Sequence, residues 1–280
     1  MKVAITGASG FLGRYVLGAL SKSNVEVVVL VRNVEKLDVD VSDIHVVEGD
    51  IAETGIDWYR KLESPDVLIH LAWGGLPNYK SRRHFEFELP IHYKFLESLV
   101  QGGLQSLLVV GTCFEYGDQT GCLSENQKTE PNNPYGFAKD TLRKQLEFLK
   151  LEYQFAFSWT RLFYLYGDGQ AKSALFSQLR AAIVNEDRIF NMSGGKQIRD
   201  FMEVSTVAHK LVQLAVLQQD LGIVNVCSGV PVSVQCLVEG WLEDNQWAIE
   251  LNLGHFPYPD YEPMSFWGDS SKLDRILSPF

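Results

Sequence analysis

At 280 residues, with 46% hydrophobic and 21% charged side chains, the chain has room for one substantial core and an appended lobe, and its composition excludes disorder. A formal net charge of -10 disfavours nucleic acid and anionic membranes as partners, because both select basic patches. A small molecule is the expected ligand.

KVAIT, starting at Lys2, reads as a first buried strand and leaves no room for a cleavable export signal. A helix from Gly10 to Ser21 follows, then the strands VEVVVLV, IHVVEGD and DVLIHLAW, a helix around Phe87 to Val100, and the strand LQSLLVVG. Strand and helix alternate, so the strands need crossover connections, and the expected fold class is α/β with a doubly wound parallel sheet. A helix is expected from Pro134 to about Glu152, with Leu142, Leu146 and Leu149 on its apolar face. FAFSWTRLFYLYG then reads as one further buried strand. Beyond Gly167 the rhythm breaks into helices, a Gly-Gly hairpin at SGGKQ and the Pro-rich connection HFPYPDYEPMS, consistent with a smaller C-terminal lobe. The expected domains are a dinucleotide-binding unit over 1–166, rejoined by parts of 200–228, and a mainly substrate-binding lobe over 167–280.

Cys113, Cys122, Cys227 and Cys236 contain no C-x-x-C pair, so they read as reduced thiols. No apolar run approaches the roughly 18 residues that a membrane span needs. A cytoplasmic protein without a membrane partner is expected. No spacing of His, Cys, Asp or Glu suggests a metal site, and His70 and His92 read as satisfied structural histidines.

Directly after the first strand, TGASGFLG spaces Gly7, Gly10 and Gly13 as G-x-x-G-x-x-G and opens a helix. Glycine allows a tight turn and close approach of the backbone to a pyrophosphate, which then sits on the positive end of the helix. An NAD site expects an acidic residue about 20 residues later, bonded to the adenosine ribose. Arg32 and Asn33 stand there instead, and a guanidinium pairs with a 2′-phosphate that no carboxylate repels. NADP(H) is the expected cofactor, with NAD(H) as the alternative.

GTCFEYG places Thr112 at the end of a buried strand, and NPYGFAKD places Tyr135 and Lys139 four apart on one helix face. A phenol titrates near ~10, too high for ready proton exchange at neutral pH, and a neighbouring ammonium lowers it. Thr112 is expected to hold a substrate oxygen against Tyr135 while hydride moves to or from a nicotinamide.

With these residues in place, the chain resembles the extended short-chain dehydrogenases/reductases, which include nucleotide-sugar epimerases, dehydratases and reductases. The resemblance covers nearly the whole sequence and implies a Rossmann-like sheet. TGASGFLG resembles the family's cofactor loop, which implies contacts from Gly7, Ser9, Gly10, Phe11, Leu12 and Gly13. GDI resembles its adenine contact at Asp50 and Ile51, and IHLAW its strand end beside the cofactor ribose, at Leu71, Ala72 and Trp73. Thr112, Tyr135 and Lys139 match the active-site group, with Tyr135 and Lys139 also touching cofactor. RLFYLYGDGQ is similar to the strand and turn that begin the substrate lobe, with Phe163 implied at the cofactor and Tyr164 at the substrate, where many members carry Asn. SGGKQIRDFMEV is similar to the loop whose arginine, here Arg199, contacts nucleotide phosphate. Trp73 and Asn78 of WGGLPNYKSRR are further expected substrate contacts, and the helices near Phe87 to Val100 and Pro134 to Glu152 imply a homodimer.

The dehydratases of this family carry Asp and Glu directly after the catalytic Thr. Here those positions are Cys113 and Phe114, and Phe transfers no proton, so dehydration is not expected. Glu115 lies one place further on, where alternation in an extended segment would turn it away. The resulting expectation is NADPH-dependent reduction of the 4-keto group of a nucleotide-activated 6-deoxyhexose, linked to dTDP or CDP, with Tyr135 as proton donor. The alternatives are a nucleotide-sugar 4-epimerase with tightly bound NAD and a non-catalytic dinucleotide sensor on the same fold.

Overall fold

In the computed structural model, which describes residues 1–37, 44–258 and 262–278, the first strand β1 (Lys2–Thr6) buries Val3, Ala4 and Ile5 completely. That two-sided burial is why KVAIT is apolar without alternation. The chain continues through α1 (Phe11–Leu20), β2 (Glu26–Val31), β3 (Ile44–Glu48), α2 (Trp58–Lys61), β4 (Val67–His70), α3 (Leu89–Gly102) and β5 (Ser106–Thr112). Next come β6 (Gly121–Leu123), α4 (Pro134–Glu152), β7 (Ala156–Leu162), β8 (Tyr164–Tyr166), α5 (Leu175–Val184), β9 (Ile189–Asn191), β10 (Ile198–Arg199) and β11 (Phe201–Glu203). The last elements are α6 (Val204–Val216), β12 (Gly222–Val226), β13 (Val232–Ser233), α7 (Val234–Asp244), β14 (Glu250–Asn252), β15 (Phe266–Gly268) and α8 (Ser271–Leu277).

Seven strands form the central sheet in the order β12-β7-β5-β4-β1-β2-β3, and every pairing in it is parallel. Helices cover both faces. Val16, Leu17 and Leu20 of α1 share one buried cluster with Val207 and Leu211 of α6, while Phe95 and Leu99 of α3 share another with Leu142 and Leu146 of α4. Each such Leu or Phe side chain contributes about 1.5–3 kcal/mol relative to exposure. This is the doubly wound sheet that the strand and helix alternation predicts.

The α4 boundaries follow local chemistry. The Asn133 side chain accepts the Gly136 N–H at 2.9 Å, and Pro134 occupies the first turn, where its missing N–H costs nothing. No helix among the described residues is long and apolar enough to cross a membrane.

Two readings of the sequence are corrected. FAFSWTRLFYLYG is not one strand: it breaks at Phe163, and β8 leaves the sheet to pair in parallel with β11. SGGKQ does not close a hairpin. Instead β9 pairs in parallel with β14 and β10 pairs antiparallel with β13, so each strand beside the glycines takes a partner from far along the chain. Leu179, Phe190, Met192, Val238 and Trp241 form their own buried cluster in this later part of the chain. Residues 259–261 of HFPYPDYEPMS lie outside the described residues.

Candidate active site

At β1 the strand order reverses, because β1 pairs with β2 on one side and β4 on the other. In open parallel sheets this reversal opens a crevice at the carboxyl ends of the strands. A cavity of about 320 Å³ lies there. Gly7, Ser9 and Gly10 line it from the loop after β1, Leu71, Ala72 and Trp73 from the end of β4, and Arg32, Asp50 and Ile51 from beyond β2 and β3.

The loop could not be built otherwise. Gly7 sits at φ 77°, and a Cβ there would lie 2.7 Å from the Ala72 nitrogen. A Cβ on Gly13 would lie 2.0 Å from the Gly7 carbonyl oxygen. Gly10 caps α1 without any side-chain hydrogen bond, leaving the first N–H groups of the helix for an anion. This cradle fits a dinucleotide pyrophosphate. Phe11 packs edge-on against Tyr15, Leu12 packs into the core, and neither they nor Gly13 line the cavity. Asn33 is occupied as a cap, accepting the Glu35 N–H at 2.8 Å, and Phe163 is buried against Cys113 and Tyr116.

At the end of β5 the structure brings Thr112, Tyr135 and Lys139 together. All three are buried, with Lys139 2% exposed. Lys139 Nζ donates to the Val110 carbonyl at 2.8 Å and lies 4.1 Å from the centre of the Trp73 ring. The Tyr135 ring is surrounded by Trp73, Tyr79, His84 and Phe114. Burial therefore pushes the Tyr135 phenol well above its ordinary value; Tyr79 and Glu115 add to this, and a hydrogen bond with the Thr112 hydroxyl pulls the other way. Burial also pushes Lys139 down to about 7. Burial is the largest cause of the Tyr135 shift, and Lys139 is not among the groups that set it.

Glu115 is the main residue that sequence reasoning misplaced. Cys113–Tyr116 is a tight 3-10 turn and not an extended segment, so Glu115 points inward and is fully buried. Its carboxylate accepts the Thr112 backbone N–H at 2.9 Å, Trp159 Nε1–H at 2.9 Å and Arg161 Nε–H at 2.7 Å. The signal was present as Thr112-x-x-Glu115, the pattern of a capping box.

A second buried polar group runs along the cavity wall. Thr6 Oγ1 lies 2.8 Å from His70 Nδ1, and His70 Nε2 lies 2.7 Å from His92 Nδ1. His92 Nε2 is 3.4 Å from Glu88 Oε2, and Glu88 also accepts from Gly74 N–H at 3.1 Å and Arg83 Nε–H at 2.9 Å. Burial holds both histidines below their ordinary value, so they are neutral at pH 7, while the contact with His92 helps hold Glu88 down to about 2. Trp73 stacks on His92 with ring centres 4.5 Å apart.

The expected substrate contacts are spread over several segments. Tyr164 packs against Phe201 and Phe266. The Arg199 guanidinium is 3% exposed, bonded to Glu262 Oε2 at 2.9 Å and to the Ile198 carbonyl at 2.9 Å. Asn78 is exposed, and its carbonyl bonds His84 Nε2 at 2.8 Å.

Comparison with known proteins adds the following. The sequence profile of the NAD dependent epimerase/dehydratase family matches residues 3–227. The chain is 29% identical over 273 residues to a dTDP-6-deoxy-L-talose 4-dehydrogenase (NAD(+)) of Aggregatibacter actinomycetemcomitans, covering 96% of this chain and 99% of that protein. It is 25% identical over 300 residues to YtcB of Bacillus subtilis (strain 168), an uncharacterized UDP-glucose epimerase, covering 99% and 92% respectively. The structure of MoeE5 in complex with UDP-glucuronic acid and NAD superposes with a TM-score of 0.82 at 24% identity, over 99% of this chain and 92% of that one, which establishes a shared fold.

Proposed function

The chain belongs to the NAD dependent epimerase/dehydratase family, and from that premise we propose that it catalyses hydride transfer at the C4 carbon of a nucleotide-linked 6-deoxyhexose, as a 4-ketoreductase. The observation that carries this reading is the buried meeting of Thr112, Tyr135 and Lys139 at the end of β5, beside a cavity shaped for a dinucleotide. The similarity to a dTDP-sugar 4-dehydrogenase supports the same carbon and substrate class, since oxidation and reduction at C4 are one reversible step.

A bound nicotinamide supplies or accepts the hydride. The side chains of this chain handle the oxygen and its proton. Thr112 orients the ketone oxygen, and Tyr135 donates the proton to it as the carbonyl becomes an alcohol. Burial keeps the phenol protonated at neutral pH, which is the state a proton donor needs. Phe114 offers no proton and the Cys113 thiol is pushed up by burial, so neither serves an elimination.

Arg32 on the cavity wall, with no carboxylate at the ribose position, supports a preference for NADP(H) over NAD(H). In this reading residues 1–166, rejoined by parts of 200–228, hold the dinucleotide, and 167–280 mainly hold the sugar nucleotide; the return of β12 to the sheet supports that division. Exposed Phe137, Phe148 and Leu151 on α4 support association as a homodimer. A second reading, a 4-epimerase that retains NAD, is supported by the similarity to the UDP-glucose epimerase and uses the same three residues.

The test is incubation with dTDP-4-keto-6-deoxyglucose and NADPH or NADH, with NMR of the product. Consumption of reduced cofactor and a C4 alcohol are expected. No consumption with any dTDP-, CDP- or GDP-linked 4-keto sugar rejects the reductase, and C4 inversion of a nucleotide-linked 4-hydroxy sugar, supplied in a parallel incubation and without net cofactor oxidation, establishes the epimerase.

A further inference from the structure

Among the described residues Lys139 has no acidic partner within hydrogen-bonding distance; its ammonium donates to the Val110 carbonyl and rests on the Trp73 ring. Yet two buried carboxylates act on it from different elements. On the β5 side, Glu115 Oε1 packs against the strand backbone one residue beyond Val110: a Cβ on Gly111 would lie 2.4 Å from that oxygen. Glu115 also bonds Trp159, which shares a buried cluster with Ala138 and Leu142 of α4, so carboxylate and lysine lie on one face of the sheet. On the α3 side, Glu88 bonds His92, and His92 stacks on the Trp73 ring that Lys139 covers.

We infer that Glu115 and Glu88 are positioning residues that hold the Lys139 side chain as an ammonium beside Tyr135; the functional part of this inference rests on reading Tyr135 and Lys139 as the proton-transfer pair. A buried amine with no compensating charge sheds its proton, and a neutral amine cannot stabilise the phenolate that Tyr135 becomes after donating. Burial pushes Lys139 down to about 7 against the pull of Glu115 and, after it, Glu88. The other groups around Lys139 do not supply the charge. His70 of β4 and His92 of α3 are neutral, and Tyr135 on the same helix is protonated. Behind each carboxylate stands an arginine, Arg161 at 2.7 Å from Glu115 and Arg83 at 2.9 Å from Glu88.

Direct titration decides the matter. The protein is labelled with 13Cε-lysine, the Lys139 resonance is assigned with Lys139→Met, and its midpoint is followed with pH in the wild type, Glu115→Gln and Glu88→Gln. Both amides keep the shape of the acid and one of its two acceptor oxygens, and remove its charge. The midpoint is expected to fall in each variant by at least about half a pH unit. An unmoved or raised midpoint in either folded variant overturns the proposal. Glu115→Gln leaves buried Arg161 unpaired, and should it fail to fold, Glu88→Gln alone decides, because its partner Arg83 is 61% exposed and stays solvated. A merely structural role for the carboxylates would lower stability and leave the midpoint in place. The titration needs no substrate, so failure to turn over any nucleotide sugar leaves it standing, and an unmoved midpoint leaves the ketoreduction reading intact.

Discussion

Thr112 and Glu115 cap one another: the Glu115 carboxylate accepts the Thr112 backbone N–H at 2.9 Å while the Thr112 hydroxyl accepts the Phe114 N–H at 3.3 Å. The same carboxylate binds Arg161 in an ion pair of which neither member is more than 1% exposed. Removing one partner leaves an uncompensated buried charge. Arg161→Met is therefore expected to lower stability in urea by about 3–5 kcal/mol. The double variant Glu115→Leu/Arg161→Met removes both charges and should recover most of that loss, less about 1 kcal/mol for the missing cap. Equal destabilisation in the single and double variants would refute the role given to the pair.

Tyr135→Phe removes one hydroxyl and keeps the ring that packs against Trp73, Tyr79, His84 and Phe114. If the phenol is the proton donor, kcat should fall by about a hundred- to ten-thousandfold. Dinucleotide affinity, measured by fluorescence titration, should fall far less, because the loop after β1 still holds the pyrophosphate. A variant that turned over at the wild-type rate would remove Tyr135 from the chemistry.

Most of the sheet was legible because its strands are buried on both faces and so carry unbroken apolar runs such as KVAIT and VEVVVLV. Helix α4 was legible in place and approximate length, because its start is written locally in Asn133 and Pro134. What escaped depends on distant partners. Glu115 turns inward to meet Arg161 and Trp159, 46 and 44 positions along the chain, and no local alternation rule contains them. The strands beside SGGKQ pair with β13 and β14 for the same reason. The spacing of Tyr135 and Lys139 put them on one face, but the aromatic shell that buries Tyr135 comes from two other stretches of the chain, Trp73 to His84 and Phe114.

Two glycines of one helix region make a contrasting pair. Gly13→Ala would drive a Cβ to 2.0 Å from the Gly7 carbonyl, whereas Gly18→Ala in the interior of α1 meets nothing within 4 Å. Gly18→Ala should stabilise the protein by about 0.4–1 kcal/mol by lowering the entropy of the unfolded chain. Gly13→Ala should lower the melting temperature and abolish dinucleotide binding, since α1 must retreat from the loop after β1. Calorimetry and a dinucleotide titration check both.

Arg32 lines the cavity, and a charge-assisted bond to a 2′-phosphate is its expected contribution. Losing such a bond costs about 1.5–3 kcal/mol, so Arg32→Ala should weaken NADPH by roughly ten- to a hundredfold and leave NADH nearly unchanged. Parallel titrations with the two cofactors measure this. Equal weakening of both would mean that Arg32 supports the loop and does not read the phosphate.

Acid should destabilise the protein through two overlapping titrations on the wall of the cavity. His70 and His92 are held by burial below their ordinary value of 6.5, so the unfolded chain binds more protons than the folded one below that pH, and stability falls as pH drops through it. Glu88 is held at about 2, against an ordinary 4.5, chiefly by its bond to His92. Its contribution is fully present above 4.5 and is lost as pH falls from 4.5 towards 2. Glu88→Gln removes the group that titrates in the lower window, so its stability curve should be flatter there than that of the wild type, with the upper titration retained. Denaturation at a series of pH values measures both slopes. Identical slopes below 4.5 in the two proteins would show that Glu88 is not held by His92 and Arg83 in solution.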